Sequence, residues 1–275
     1  MPAPRTSLIQ KARYWFSPRK RPAEPFLFFS YGMTKCGSTL AFQLVRVALI
    51  EAGCPQDVIA FPGMPAGQRI NFIGQFTEAH RAQLERELDM RGYPIAIKTH
   101  TRPSPQEVYL MESGLARAHA VYRDLRDMAL SLLDAGQAAE AKGKRAFAEM
   151  RTLDDAKAGI DNQLDTLSAW LQLPGVRRLP FARLASQTEL ATAQVLDQLG
   201  LDGNPARIAR RVLRAEFTQF NKGIPHRHRR EMAAADSAAF LDRYAPFYDL
   251  VWDSAHRAPP LPPGTTLSRP EAAPA

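Results

Sequence analysis

The residues with the clearest chemical potential lie in 31-YGMTKCGSTLAFQL-44, directly behind the apolar run 26-FLFFS-30. Gly32 and Gly37 have the spacing of a GxxxxGK[ST] phosphate-binding loop, which would carry its lysine just after the second glycine. Here the lysine, Lys35, lies inside the loop instead. The pattern therefore predicts an anion-binding turn between a strand and a helix that differs from the loop of an ATPase.

The backbone of this turn can bind a phosphate directly. Amides of Gly37, Ser38 and Thr39 would face outward at a helix N-terminus, where the helix dipole favours negative charge. Lys35 would add a mobile positive charge over them. Glycine-rich turns also form for purely geometric reasons, so this loop alone leaves both interpretations open.

Two further segments carry candidate chemistry. The first, 98-KTH-100, ends a predicted strand, and an imidazole there could take a proton from a hydroxyl near neutral pH. The second, 123-RDLRDMALS-131, places Arg123 at another strand end and Ser131 about two helical turns further on, so that both could contact a second phosphate. The alternatives without a catalytic or binding role are a histidine that only packs in the fold and an Arg–Asp pair on the surface.

Alternating strands and helices must position these groups. We expect an α/β fold with a P-loop-type central parallel sheet flanked by helices in a single domain. Asp124 and Asp127 indicate a capping-box-like helix start. The predicted strands cover 26–30, 94–100, 118–123 and 176–181, and the predicted helices cover 38–52, 78–90, 124–136, 154–171 and 188–200, with further helix after 205.

Composition limits the class of protein and partner. The chain has 275 residues, 45% of them hydrophobic, and a formal net charge of +8, which favours anionic partners. Cys36 and Cys54 are its two cysteines, so we expect no disulfide framework, a reducing compartment and a cytoplasmic location. No segment is long and apolar enough for a membrane span.

The two ends differ from the rest of the sequence. Residues 1–23 form a basic, aromatic-containing N-terminal tail, for which we predict at most a weak contact with an anionic membrane surface. Residues 257–275 are rich in proline and alanine and are predicted to be disordered. The folded domain is expected to span residues 24–256.

Taken together and in this order, 35-KCGST-39, 98-KTH-100 and 123-RDLRDMALS-131 resemble the signature of sulfotransferases that use 3′-phosphoadenosine 5′-phosphosulfate (PAPS). The resemblance extends to 195-VLDQLGL-201 and to 220-FNKG-223, which is similar to the FRKG element of that family. It implies PAPS as co-substrate and no metal.

The resemblance also implies a role for each motif residue. His100 would be the general base on the acceptor, and Lys35 would neutralise charge on the bridging oxygen and the sulfonate. Lys98, the third residue expected to be catalytic, would help to position the donor together with Thr99. The loop residues Lys35, Cys36, Gly37, Ser38 and Thr39 would bind the 5′-phosphate, and Arg123, Ser131, Lys222 and Gly223 would hold the 3′-phosphate.

The sequence departs from the family pattern at several positions. Leu40 replaces a frequent tryptophan, Phe181 replaces a tyrosine, and Asn221 replaces an arginine. The segment 226-HRHR-229 replaces the family's G-x-W-[KR] pattern, so that Arg227, Arg229 or Arg230 could take over the lost contacts.

The resulting hypothesis is a sulfotransferase that acts on a hydroxyl, or secondarily an amine, of a small molecule, lipid or carbohydrate. A P-loop kinase and a non-catalytic anion-binding module of the same fold are the alternatives. The segments 56–72 and 134–153 are predicted to be mobile lids that select the acceptor. The sequence predicts no specific nucleic-acid partner, and it identifies neither the acceptor nor an oligomeric state.

Overall fold

A parallel β-sheet brings the three motifs to one of its edges, where the strands end. The computed structural model describes residues 24–61, 64, 67–215 and 223–251. The strands are β1 (Leu27–Gly32), β2 (Ile95–Thr99), β3 (Ala116–Tyr122) and β4 (Val176–Pro180). Within the described residues they form a four-stranded sheet of order β2-β1-β3-β4, in which every pairing is parallel.

Helices cover this sheet on both sides. They are α1 (Ser38–Glu51), α2 (Glu78–Arg91), α3 (Pro105–Glu112), α4 (Leu125–Ala141), α5 (Leu153–Leu171), α6 (Phe181–Ser186), α7 (Thr188–Leu199), α8 (Pro205–Ala215), α9 (His228–Glu231), α10 (Ala234–Arg243) and α11 (Ala245–Val251). The predicted α/β fold with a central parallel sheet flanked by helices is therefore confirmed.

The register of β1 explains why the motifs converge. Tyr31 pairs with Thr99 of β2, and Gly32 pairs with Val121 of β3. All six residues of β1 are buried, as expected for a strand with helices on both faces. Because these parallel strands end level with one another, the segments that follow them meet above the same edge.

Trp170 of α5 closes the core beneath this edge. Its indole ring stacks on Tyr31 with the ring centroids 5.4 Å apart, and its Nε1–H donates to the carbonyl oxygen of Thr101 at 2.9 Å. One large side chain thus holds the strand that leads into the loop and the segment that follows His100. Burial of such a ring contributes a few kcal/mol at roughly 25 cal/mol per Å².

The structure differs from the sequence expectations in three helices. Helix α6 was not predicted, and it begins at Phe181, the last residue of a predicted strand. Helix α3 was not predicted, although Ser104, Pro105 and Glu107 form a capping box with proline in the first turn. Helix α4 continues past Gly136 to Ala141. Glycine is needed at position 136, because a Cβ there would lie 2.0 Å from the carbonyl oxygen of Met150.

Both terminal tails lie outside the described residues, as does Lys222. The predictions of a basic tail over 1–23, its membrane contact and a disordered tail over 257–275 therefore stay predictions. Within the described part of the chain, none of the helices is long and apolar enough to cross a membrane.

Candidate active site

A cavity of about 650 Å³ opens above the carboxyl ends of β1, β2 and β3. It brings together most residues that the sequence singled out: Lys35, Gly37, Ser38, Thr39, Lys98, His100, Arg123, Ser131 and Gly223. The three motifs at Lys35, Lys98 and Arg123, which are separate in the sequence, thus contribute to one site.

Cys36 is placed elsewhere. Its thiol is fully buried and donates to the carbonyl oxygens of Met33 and Val121, the latter at 3.1 Å. Burial raises the pKa of this thiol to about 12. The side chain therefore fixes the loop to the sheet and does not face the cavity.

The loop that leads into α1 has a specific backbone shape. Lys35 and Gly37 both have positive φ, 65° and 82°. At Gly37, a Cβ would lie 2.8 Å from the ring of Phe181, so glycine is needed for conformation and for space. Gly37, Ser38 and Thr39 line the cavity at the start of α1, the place where a helix can offer N–H groups to an anion.

His100 and Lys98 form a hydrogen-bonded pair. His100 Nδ1 lies 2.6 Å from the carbonyl oxygen of Gly32, and its Nε2 lies 2.9 Å from Lys98 Nζ. A carbonyl oxygen accepts only, so Nδ1 carries the proton and Nε2 offers a lone pair. This is the tautomer that a general base acting through Nε2 requires.

Burial and charge set the protonation of this pair. Burial, followed by the positive charge of Lys98, lowers the pKa of His100 to about 4. Burial also lowers the pKa of Lys98 to about 8. At neutral pH the imidazole is therefore neutral and the ammonium is still charged.

Arg123 lies in the corner between β3, the loop and the C-terminal segment. Its guanidinium donates to the carbonyl oxygen of Ile224 at 2.8 Å and lies 4.2 Å from the ring centroid of Phe181. Its Nε is buried without a hydrogen-bond partner among the described residues. Phe181, which occupies the position of the family's tyrosine, thus supports the arginine by a cation–π contact.

Asp127 attaches the segment after Gly223 to helix α4. Its carboxylate accepts from the backbone N–H groups of His226 at 2.6 Å and His228 at 2.9 Å, and from His228 Nδ1 at 2.8 Å. Burial opposes its ionisation, but the hydrogen bond from His228 and the charge of Arg123 hold its pKa below the usual range. The predicted capping-box role of Asp127 was therefore wrong, because this carboxylate binds the distant segment, while Asp124 alone caps α4 through the N–H of Arg126.

Several residues that line the cavity were given no definite role from the sequence. Three arginines were considered as replacements for the contacts of the G-x-W-[KR] pattern. Of these, Arg227 lines the cavity, whereas Arg229 and Arg230 do not. Arg227 is held by Asp134 at 2.7 Å and by Glu231 at 2.6 Å. Lys142, Lys144 and Phe147 also line it, and their segment, 134–153, was predicted only as a lid.

The charged side chains that line the cavity among the described residues are all basic. Lys35, Lys98, Arg123, Lys142, Lys144 and Arg227 line it, and no carboxylate does among the described residues. Burial lowers the pKa of Lys35, an effect that Asp134 opposes. A partly enclosed site with this lining favours a ligand that carries several negative charges.

Solved structures share this architecture. The mouse sulfotransferase SULT7A1 complexed with PAP superimposes with a TM-score of 0.54 and 13% identity, over 86% of this chain and 91% of that chain. The chain has the sulfotransferase fold. Retinol dehydratase in complex with retinol and PAP gives a TM-score of 0.50 and 14% identity, over 83% of this chain and 82% of that chain. No family model and no curated protein matches the sequence.

In this sulfotransferase fold, neither cysteine forms a disulfide, and both are buried. Among the described residues there is no group of three or more His, Cys, Asp or Glu side chains that could hold a metal ion.

Proposed function

We propose that this protein transfers a sulfuryl group from PAPS to the hydroxyl, or secondarily the amine, of an acceptor. The observation that carries the proposal is the convergence, in one cationic cavity, of the loop at Gly37, the Lys98–His100 pair and the Arg123 corner. The sulfotransferase fold supports it. A cytoplasmic location is part of the proposal, since undisulfided cysteines are typical of a reducing compartment.

The residues present fit a ligand with two separate phosphate groups. The amides at the start of α1, with Ser38, Thr39 and Lys35, would hold the 5′-phosphosulfate. Arg123 and Ser131 would hold the 3′-phosphate, and the buried Nε of Arg123 has a hydrogen still to donate. Gly223 lines the same cavity, so the segment fixed by Asp127 would close over that end.

His100 would act as the general base. When bound, PAPS would supply an activated sulfuryl group with 3′-phosphoadenosine 5′-phosphate (PAP) as its leaving group. His100 Nε2 takes the proton as the acceptor oxygen forms its bond to sulfur, and the hydrogen bond from Nδ1 to Gly32 keeps the imidazole in the required tautomer.

Lys35 and Lys98 would balance the charge of the reaction. Both line the cavity, and they would stabilise the negative charge that grows on the bridging and sulfuryl oxygens as the S–O bond to the leaving group breaks. The Lys98 ammonium, which donates to His100 Nε2 in this structure, would turn to these oxygens and leave the lone pair accessible. An adjacent anion would also raise the pKa of His100 and make it a stronger base.

Two measurements test this proposal. The purified protein is melted with PAP or with Mg-ATP, and it is then incubated with radiolabelled PAPS and a panel of hydroxyl and amine acceptors. We expect a higher Tm with PAP and label transfer to at least one acceptor. A shift with Mg-ATP alone would favour the kinase alternative, and salt-sensitive binding to heparin without turnover would favour the non-catalytic module.

A further inference from the structure

Two lysines lie at the mouth of the cavity, away from the residues expected to bind PAPS. Lys142 and Lys144 follow the end of α4, are exposed, and line the cavity. Ser131 lies eleven residues earlier on that helix, roughly 16 Å along its axis at 1.5 Å per residue. The lysines therefore belong to the opposite end of the cavity from Ser131.

The position of this turn is fixed by packing. The N–H of Lys144 donates to the carbonyl oxygen of Ala139 at 2.9 Å, and Gly136 allows the backbone of Met150 to lie directly against α4. Phe147, three residues after Lys144, has its ring centroid 5.5 Å from Lys35 Nζ. The segment from Lys142 to Phe147 thus lines the cavity from Lys35 to the exposed lysines.

Lys142 and Lys144 are not among the residues expected to bind PAPS. Arg227 is neutralised by Asp134 and Glu231, and Arg123 lies 3.6 Å from Asp127. Lys35 and Arg123 already provide one cation for each end of PAPS. Neither Lys142 nor Lys144 forms a salt bridge with another described residue, so both ammonium groups are available to a second anion.

We propose that the acceptor is itself an anionic compound: its hydroxyl faces His100, and its carboxylate, phosphate or sulfate group binds Lys142 and Lys144. An apolar part of the acceptor would contact the ring of Phe147, which lines the same cavity. This inference rests on the proposed function and specifies the substrate class of the same site.

The test measures acceptor binding without turnover. The protein is saturated with PAP and titrated calorimetrically with two hydroxy acids, 4-hydroxyphenylacetate and 10-hydroxydecanoate, and with their methyl esters. We expect at least one acid to bind about tenfold more tightly than its ester, through two charge-assisted contacts. The variant K142Q/K144Q should lose this preference and retain wild-type affinity for PAP.

Arg145→Gln provides the matched control, because Arg145 is an exposed cation of the same turn that does not line the cavity. This variant should keep the preference for the acid. Equal binding of acids and esters, no binding of either acid, or equal losses for acid and ester in K142Q/K144Q would overturn the inference. Failure of PAP to bind in the first step would instead refute the proposed function, so the two failures are distinguishable.

Discussion

At the scale of single residues, two hydrogen bonds define the chemistry of His100. The carbonyl oxygen of Gly32 holds the proton on Nδ1, and the ammonium group of Lys98 faces Nε2. The histidine is therefore neutral and correctly oriented before any ligand arrives. This tautomer and orientation support the proposed role of His100 as the general base.

Replacement of His100 by alanine should separate binding from chemistry. We expect His100→Ala to lower the rate of sulfuryl transfer roughly 10²- to 10⁴-fold, the usual contribution of a general base, with little change in PAP affinity. Transfer rates and calorimetric PAP binding are measured on the same preparation. His80→Ala, at a histidine on α2 that does not line the cavity, is the control. Full activity of His100→Ala would refute the assignment.

Deprotonation of Lys98 should lower the catalytic efficiency at alkaline pH. Because its pKa is lowered to about 8, kcat/KM should fall as pH rises through that value and the ammonium loses its proton. Lys98→Arg keeps the charge at high pH and should move this decline to higher pH. The test is to measure kcat/KM against pH for wild type and variant. A decline at the same alkaline pH in both proteins would contradict this role of Lys98.

At the scale of elements, the local motifs were predictable, whereas their long-range supports were not. The turn before α1 and the strand ends at Lys98 and Arg123 follow from apolar runs and glycine spacing. The docking of the segment after Gly223 on Asp127 could not be predicted, because it pairs residues about 100 positions apart without a local pattern. Helix α3 did have a local signal, the Ser104–Glu107 capping box, but its eight residues are too few for a clear hydrophobic periodicity.

Gly37 provides the test of the loop. Gly37→Ala places a Cβ 2.8 Å from the ring of Phe181 on a residue with φ of 82°, and it should weaken PAP binding by at least about tenfold. Gly114→Ala is the matched control, since its φ of 76° imposes similar strain but no atom lies within 4 Å of the added Cβ. Both variants should lose about 1 kcal/mol or more of unfolding free energy. Equal PAP affinity in the two variants would exclude a specific role for the loop.

At the scale of the whole molecule, the parallel sheet encloses a second neutral histidine. His119 on β3 is 1% exposed, and its Nε2 lies 2.7 Å from Ser30 Oγ. Burial lowers its pKa to about 3. The fold thus excludes water from a titratable group in the strand that also leads to Arg123.

Acid should destabilise the protein through His119. Its pKa is lower in the folded chain than in the unfolded chain, so the unfolded chain binds the extra proton as pH falls below about 6.5. Between pH 6 and 4, His119→Gln should lose stability less steeply than wild type, by up to about 1.4 kcal/mol per pH unit. Urea unfolding at several pH values measures both slopes. Parallel slopes would show that this histidine does not titrate on unfolding.

Recognition of PAP at both of its ends is the central claim, and isothermal titration calorimetry tests it most directly. Wild-type protein should bind PAP with one site per chain, and it should bind adenosine 5′-phosphate, which lacks the 3′-phosphate, at least about tenfold more weakly. Arg123→Gln should remove most of this difference, whereas Arg145→Gln should preserve it. The absence of PAP binding at high micromolar concentration, or equal affinity for the two nucleotides, would contradict the account.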